Sequence, residues 1–252
     1  MTRTHETLVD QQFGARAAAY VASAVHASGA DLARMAAIAA AHAPAHALDL
    51  GCGGGHVSYA IAPYARAVAA CDLAPQMLAA VAAEAQARGA HHIATHAAAA
   101  EALPFADGAF DFLACRFSAH HWADVRQGLA EARRVLRPGA PAVFVDVIAP
   151  EAPAADTHLQ AVELLRDPSH VRDYRRSEWR AMVAEAGFAI TAETPARLRM
   201  DFASWTARMA TPAPHIAAIR SLQGAASHDV AGHFAIEADG SFTIDTLLIE
   251  LR

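Results

Sequence analysis

Four glycines follow a short apolar run in residues 48–55, which read LDLGCGGG. Glycine lets the backbone adopt positive φ and approach a ligand closely, so a glycine-rich loop after a strand often holds a nucleotide. The next apolar run ends in Asp72, where a carboxylate can accept hydrogen bonds from both hydroxyl groups of a ribose. This pattern indicates a site for a nucleoside-containing ligand.

Two familiar nucleotide-binding loops fit these glycines poorly. A P-loop ends in Gly-Lys-Ser/Thr because its lysine must reach phosphate, and this chain contains no lysine. The dinucleotide fingerprint Gly-x-Gly-x-x-Gly needs a third glycine for close packing of helix on strand, but His56 or Ser58 stands there. A nicotinamide-dependent oxidoreductase is therefore a weakened alternative, and the chain also lacks a Tyr-x-x-x-Lys pair for hydride chemistry.

The spacing Asp49-x-Gly51-x-Gly53-x-Gly55 resembles the first motif of the class I S-adenosylmethionine-dependent methyltransferases, which is acid-x-Gly-x-Gly-x-Gly. A second segment, AAEALPFADGAFD, and the helix end LRPGA resemble the type 11 branch of that family, which includes the ubiquinone and menaquinone biosynthesis enzymes. The resemblance covers about residues 45–150. It implies S-adenosylmethionine as the cofactor and leaves the methyl acceptor open.

The resemblance also implies which residues bind the cofactor. They lie at the ends of predicted strands, in the loops that follow, or at the start of the next helix: Asp49, Gly51, Cys52, Gly53, Gly55, Asp72, Leu73, Met77, Ala100, Glu101, Arg116 and Phe117. Ala99 stands where the family usually has an aspartate that contacts the adenine amino group, so backbone groups of Ala100 and Glu101 would contact the ring instead. In related enzymes an N-terminal helix closes over the donor, and Phe13 and Tyr20 would serve as that cover.

Adjacent histidines in SAHHWAD (118–124) suggest two kinds of chemistry. Neighbouring side chains point in different directions, and no cysteine or aspartate cluster accompanies His120 and His121, so we expect no metal site. The ordinary pKa of histidine lies near neutrality, which makes His121 a candidate general base for a substrate OH or NH. A polar position in the wall of the site is the alternative role.

The composition narrows the range of partners. The net charge is −6, and no basic cluster is dense enough for a nucleic-acid track, so nucleic acid is not an expected partner. We expect neither a membrane span nor a signal peptide, because long apolar stretches without charge, histidine or proline are missing. Three cysteines, an odd and sparse count, fit a reducing compartment, so we expect a cytoplasmic protein. The oligomeric state is left open.

Apolar runs of strand length alternate with helical patterns five times between residues 46 and 149. This order predicts an α/β fold with a Rossmann-like, doubly wound, mostly parallel seven-stranded sheet, helices on both faces and a small helical cap. We expect a single domain over residues 1–252, with a helical cover in 1–45 and a cofactor-binding core in 46–150. Residues 151–252 would supply substrate-side insertions, the cap and the closing strands.

These patterns predict transfer of a methyl group from S-adenosylmethionine to a small-molecule acceptor by in-line displacement. An apolar, aromatic cap suits a small, partly aromatic metabolite. Six residues are candidates for the acceptor pocket, and all but Trp122 rest on placement alone: Trp122, His170, Arg172, Trp205, Met209 and His215. A non-catalytic S-adenosylmethionine-binding protein is the second alternative, because Ala99 departs from the family pattern.

Overall fold

The computed structural model describes residues 4–14 and 28–252. Its strands are β1 (His46–Leu50), β2 (Ala67–Asp72), β3 (Ile93–Ala97), β4 (Phe112–Arg116), β5 (Ala142–Ala149), β6 (Tyr174–Arg175), β7 (Ile190–Met200) and β8 (Phe242–Leu251). Its α-helices are α1 (His5–Gly14), α2 (Ala30–His42), α3 (His56–Ile61), α4 (Pro75–Ala87), α5 (Val125–Val135), α6 (Pro153–Arg166), α7 (Arg176–Glu185), α8 (Phe202–Arg208), α9 (Ala213–Gly224) and α10 (His228–His233). Tyr20 lies outside the described residues.

Within the described residues, seven strands form the sheet in the order β3-β2-β1-β4-β5-β8-β7. Strands β1 to β5 pair in parallel, and β8 is antiparallel to both β5 and β7. The order reverses direction between β1 and β4, which is the point where open α/β sheets bind ligands. The predicted mostly parallel seven-stranded sheet is confirmed, and the two-residue β6 pairs with the end of β5 in addition.

Residues that favour helix ends mark the start or the end of several helices. Pro75 occupies the first turn of α4, and Gly89 adopts a φ of 70° just beyond its last turn. The carboxylate of Asp124 caps α5 by accepting two hydrogen bonds from backbone N–H groups of its first turn. Asp31 has a residue type typical of an N-cap, but Gly29 holds the N-cap position of α2 and Asp31 lies within the helix.

Helices cover both faces of the sheet, so successive residues of a strand enter different cores. In β4, Phe112 and Ala114 face α2, α3 and α4, whereas Leu113 and Cys115 face α5 and α7. All four side chains are essentially inaccessible to solvent. Burial on both faces explains why these strands read as continuous apolar runs in the sequence.

A third core lies at the carboxyl ends of β5, β7 and the start of β8. The short helices α8, α9 and α10 pack here with α6 around Trp205, Phe234 and Phe242, which are nearly fully buried. The predicted small helical cap is confirmed, and its three short helices lie within residues 202–233. Its aromatic side chains form the interior of the cap, which explains why that segment is too apolar for a loop.

A transmembrane helix needs about 20 apolar residues to cross the hydrocarbon core of a bilayer. Over residues 4–14 and 28–252, none of the helices has the length and apolar character to do so.

Candidate functional site

A cavity of about 300 Å³ opens at the carboxyl ends of β1, β2 and β4. The glycine-rich loop after β1 forms one side, and the segments that follow β2, β3 and β4 form the others. Most of the residues predicted to bind the cofactor line this cavity: Asp49, Gly51, Cys52, Gly53, Asp72, Leu73, Met77, Ala100, Glu101, Arg116, Phe117 and Phe13. Gly55 does not itself line it, and Tyr20 lies outside the described residues.

The three motif glycines have φ values of 71°, 48° and 79°, a region that favours glycine. A methyl group on Gly51 would collide with the side chain of Ser118, and one on Gly55 would lie 2.7 Å from the ring of Tyr59. A methyl group on Gly53 would meet no protein atom within 4 Å, although Gly53 lines the cavity. The first and third glycines therefore permit packing of the loop, and the second leaves space for a ligand.

Asp49 lies at the base of the loop and is 1% exposed. Its Oδ2 accepts hydrogen bonds from the backbone N and the hydroxyl of Ser58, at 2.8 and 2.6 Å. Its Oδ1 has no hydrogen-bond partner among the described residues. Burial raises the pKa of this carboxyl to about 7, so a ligand cation beside Oδ1 would restore its charge.

Asp72 ends β2 and connects the glycine loop to the next helix. Its carboxylate accepts hydrogen bonds from the backbone N of Gly53 at 2.8 Å and of Ala74 at 3.0 Å. Burial raises its pKa despite these bonds. Each carboxylate oxygen has a second lone pair, so the group can also accept hydrogen bonds from a ribose.

The wall opposite the loop is formed by α4 and the segment after β3. Leu73 and Met77 contribute apolar side chains, and Ala99 and Ala100 add small ones. The Glu101 carboxylate accepts a hydrogen bond from the backbone N of Asp124 at 3.1 Å, which fixes this segment to the start of α5. This wall is mainly apolar, which suits a flat ring.

Helix α1 lines one side of the cavity. Phe13 packs against Met77 and meets the ring of His121 edge-on, with ring centroids 4.9 Å apart. The Nε2 of His5 donates a hydrogen bond to the carbonyl of His121 at 2.7 Å. Of this cover, sequence reasoning named only Phe13 and Tyr20, and it missed His5, Glu6 and Val9, which also line the cavity.

Arg116 ends β4 beside the cavity and is nearly buried. Its guanidinium forms an ion pair with Asp31, with 2.5 Å between Nε and Oδ2, and lies over the ring of Phe117. Phe117 itself has a φ of 52°, which is unusual for a bulky residue and marks a strained turn. Asp31, in the first turn of α2, thus holds the Arg116 side chain in place beside the cavity.

A second cavity, of about 340 Å³, adjoins the first and shares Phe13, Arg116, Phe117 and His121 with it. Its far side is formed by α6, α8, β7 and β8. Of the residues predicted for an acceptor pocket, Trp205 lines this second cavity and Trp122 lines the first. The other four line neither of these two cavities: His170, Arg172, Met209 and His215.

The two adjacent histidines occupy different electrostatic environments. His121 donates from Nδ1 to the carbonyl of Ser169 at 3.1 Å, and burial together with the nearby charge of His120 lowers its pKa to about 3. Burial would also lower the pKa of His120, but the charge and hydrogen bond of Asp146 raise it to about 9. His120 is therefore cationic at neutral pH, and His121 is neutral.

Sequence reasoning missed Asp146, although a signal was present. It is the one acid inside the apolar run AVFVDVIA of β5, where every residue is buried. A charged group at such a buried position requires a hydrogen-bonding or oppositely charged partner, and the sequence pattern does not identify that residue. In the described part of the chain, no group of three or more His, Cys, Asp or Glu side chains could hold a metal ion.

Comparisons with known proteins bear on this geometry. A family model described as a methyltransferase domain matches residues 48–144. The chain is 34% identical over 243 residues to YcgJ of Bacillus subtilis (strain 168), called an uncharacterized methyltransferase, covering 94% of this chain and 96% of YcgJ. The crystal structure of YcgJ matches with a TM-score of 0.82 at 32% identity, covering 88% of this chain and 97% of that one.

The chain belongs to the S-adenosylmethionine-dependent methyltransferases. It is also 41% identical over 107 residues to the demethylmenaquinone methyltransferase of Thermus thermophilus, covering 41% of this chain and 48% of that protein. The resemblance to the ubiquinone and menaquinone branch is therefore confirmed. The methyltransferase uses S-adenosylmethionine as its cofactor, and both the nicotinamide alternative and the non-catalytic alternative are set aside.

The residues of the first cavity fit this donor. The open space above Gly53, the unpartnered oxygen of Asp49 and the carboxylate of Asp72 are features that a bound nucleoside with an ammonium group would use. No lysine is needed, because the donor carries no phosphate. The binding role of each residue stays a prediction.

Proposed function

We propose that this methyltransferase transfers the donor methyl group in line to a small, partly aromatic acceptor bound in the second cavity. The observation that supports this most is the junction between the two cavities, whose walls share Phe13, Arg116, Phe117 and His121. A donor in the first cavity and an acceptor in the second would meet there. Alignment in a closed, dry junction supplies much of the catalysis in such a reaction.

In this proposal each segment of the chain has its own role. The core in residues 46–150 binds the donor, the helical cover in residues 1–45 closes over it, and residues 151–252 surround the acceptor. S-adenosylmethionine supplies a methyl carbon activated by its sulfonium. The backbone of the glycine loop and the carboxylates of Asp49 and Asp72 orient the donor, and Phe13 excludes water.

His121 is the neutral polar group at the junction, whereas Arg116 is ion-paired with Asp31, and His121 is our candidate for contact with the reacting atom. Its Nδ1–H is held by the carbonyl of Ser169, so the lone pair of neutral imidazole lies on Nε2. We propose that Nε2 accepts a hydrogen bond from the acceptor and orients it. With a pKa of about 3, the His121 imidazole would not retain a proton taken from the acceptor at neutral pH.

The lining of the second cavity supports an aromatic acceptor. Its apolar side chains surround the space from several elements: Phe13, Phe117, Val147, Leu198, Met200, Trp205 and Ile244. The demethylmenaquinone methyltransferase relative likewise carries a small-molecule acceptor in its name. We also propose a cytoplasmic location, because the cysteines are all free and buried, as expected in a reducing compartment.

Calorimetric titration with S-adenosylmethionine, S-adenosylhomocysteine and NAD tests the donor site. We expect both adenosyl compounds to bind to the protein and NAD not to bind. Asp72→Asn removes the charge that a ribose would contact, so it should weaken the binding of both adenosyl compounds about tenfold to hundredfold. Asp107→Asn is the matched control, since the Asp107 side chain is 82% exposed and lies outside the cavities.

Transfer itself is tested by following a labelled methyl group into phenols, enols and amines of a size that suits the second cavity. Binding of NAD alone, or equal binding by Asp72→Asn and the wild type, would contradict the assignment of the donor site. Binding of the donor without transfer to any of these acceptors would contradict the assignment of the acceptor class.

A further inference from the structure

Two buried carboxyl groups of the second cavity each keep one oxygen without a hydrogen-bond partner. Asp167 and Asp173 lie on the loop after α6, line this cavity and are each 1% exposed. Among the described residues, Oδ2 of neither acid has a partner, whereas Oδ1 of Asp167 accepts hydrogen bonds from the backbone N and the hydroxyl of Ser169 at 2.9 and 2.6 Å. A buried polar atom without a partner is costly, so both Oδ2 atoms favour a ligand that donates hydrogen bonds.

The arginines that line the second cavity have other partners. Three of them form ion pairs with acids other than these two: Arg116 with Asp31, Arg166 with Glu163, and Arg197 with Asp245. The fourth, Arg208, also has a partner. The Nε2 of His170 is 4.0 Å from Oδ2 of Asp173, but burial lowers the pKa of His170 to about 2, so this imidazole is neutral. In the described part of the chain, no cation donates a hydrogen bond to Oδ2 of Asp167 or Asp173.

A positively charged nitrogen is the ligand group that suits these two acids. Burial raises the pKa of Asp173 well above its usual range, which favours the neutral form of this carboxyl. A cation in the cavity would favour the ionised form instead, because opposite charges stabilise each other in a buried site. An ammonium group carries three N–H donors, which is enough for both Oδ2 atoms.

His120 presents the opposite chemistry to the same cavity. Its Nδ1 is 2.5 Å from Oδ1 of Asp146, and an ionised carboxylate only accepts hydrogen bonds, so Nδ1 carries a proton. Burial would lower the pKa of His120, but Asp146 raises it to about 9, so Nε2 is protonated as well. Among residues 4–14 and 28–252, this Nε2 has no hydrogen-bond partner. A cationic N–H is therefore available to a ligand that accepts hydrogen bonds.

Trp205 supplies a second unused donor. Its side chain lines the cavity and is fully buried, and its indole N–H has no acceptor among the described residues. A carboxylate has two oxygens that only accept hydrogen bonds, so it can satisfy the indole N–H and the imidazolium N–H of His120 together.

The unused donors and the unused acceptors line one small space. The ring of His170 is 5.9 Å from the ring of His120, and its Nε2 is 4.0 Å from Oδ2 of Asp173. Asp167 follows Arg166 in the chain, and the Nε of Arg166 donates to the carbonyl of Trp205 at 3.1 Å. The volume of the whole cavity is about 340 Å³, so a ligand of modest size can reach groups of both kinds.

We propose that the second cavity binds a molecule that carries both a positively charged nitrogen and a carboxylate, as an amino acid does. Asp167 and Asp173 accept hydrogen bonds from the nitrogen, and His120 and Trp205 donate hydrogen bonds to the carboxylate. The inference rests on the proposed function, because that function places the methyl acceptor in this cavity. The acceptor is then an amino acid with an apolar, partly aromatic side chain, since either charge alone would leave buried groups of the protein without a partner.

Three probes with the same phenyl ring and similar size separate the two charges. L-Phenylalanine carries both charges at neutral pH, phenethylamine carries only the ammonium, and 3-phenylpropionate carries only the carboxylate. Each probe is titrated by calorimetry into the full-length protein with saturating S-adenosylhomocysteine. We expect L-phenylalanine to bind at least about tenfold more tightly than either of the other two probes.

Two variants assign each charge to its side of the cavity. Asp167→Asn keeps the shape of the side chain but removes its charge, so it should weaken the binding of L-phenylalanine and phenethylamine about tenfold and spare 3-phenylpropionate. Trp205→Phe removes the indole N–H, so it should weaken the binding of L-phenylalanine and 3-phenylpropionate more than that of phenethylamine. The matched controls are Asp229→Asn, at an exposed position of the cap, and Trp179→Phe, at a buried position of α7, because both residues lie outside the two cavities.

Equal affinity of all variants for S-adenosylhomocysteine establishes that each is folded. Binding of L-phenylalanine no tighter than that of both singly charged probes would overturn the inference. So would equal effects of Asp167→Asn on all three probes, or no binding of any probe to a protein that binds S-adenosylhomocysteine. In each of these cases the donor site stands, whereas absence of S-adenosylhomocysteine binding to the wild type would contradict the proposed function itself.

Discussion

Gly53→Ala is the change that isolates the ligand-binding role of the glycine loop. The added methyl group meets no protein atom within 4 Å, so it causes no clash in the ligand-free protein. The φ of 48° lies close to the left-handed region, so the hydrogen bond from Gly53 to Asp72 can persist. The methyl group does occupy space in the cavity that Gly53 lines.

The expected magnitudes follow from these contacts. Alanine in the left-handed region costs about 1–2 kcal/mol in the free energy of unfolding. Gly139→Ala is the matched control, because Gly139 has a φ of 76°, also meets no atom within 4 Å, and lies away from both cavities. Both variants should lose similar stability, whereas Gly53→Ala alone should weaken S-adenosylhomocysteine binding by tenfold or more, about 1.4 kcal/mol.

Urea unfolding measures the stability of both variants, and calorimetry measures their affinity for S-adenosylhomocysteine. Wild-type affinity in Gly53→Ala would refute the view that the second glycine leaves space for the donor. A much larger loss of stability in Gly53→Ala than in Gly139→Ala would show instead that this glycine is required for packing of the loop.

Two further predictions follow from the same structure. Burial raises the pKa of Asp49 to about 7, so the carboxylate forms only as the pH rises through that value. If it accepts the donor ammonium, S-adenosylhomocysteine should bind more tightly as pH rises past about 7 and then level off. Calorimetry across this range should show the effect in the wild type and not in Asp49→Asn, and a pH-independent wild-type affinity would contradict it. Gly128 packs on the ring of Trp122, so Gly128→Ala should lower the free energy of unfolding by about 1–3 kcal/mol. Gly224→Ala, in open space at the end of α9, should leave stability unchanged or raise it, and equal effects of the two changes in urea unfolding would count against the packing argument.

The parts of this protein that sequence reasoning predicted well are local in the chain. The five core strands, the glycine loop and Asp72 each depend on a few consecutive residues, since alternating apolar runs and glycines at fixed spacing restrict the backbone directly. Even β3, with a weak pattern, was placed correctly, because it follows the clear helical pattern of α4. The small cap followed from its aromatic content.

The errors and omissions concern pairs of residues far apart in sequence. Asp31 has the residue type of a helix cap, but packing of α2 places it beside Arg116 instead. His215 was expected at the acceptor, but its Nδ1 donates to the carbonyl of Leu165 at the edge of the cap. In both cases the partner lies on another element, far away in the chain, and a sequence pattern does not show which elements pack together.

The sequence by itself determined which residues line the first cavity, because Asp49, the glycines and Asp72 lie in two adjacent strand–loop–helix units whose geometry is fixed locally. Only the tertiary structure decided the lining of the second cavity. It brought Asp146 of β5 to His120, and Ser169 to His121. Burial and the distances between separate elements set the charge of these two neighbouring histidines. Neither quantity can be derived from residue type or spacing in the sequence.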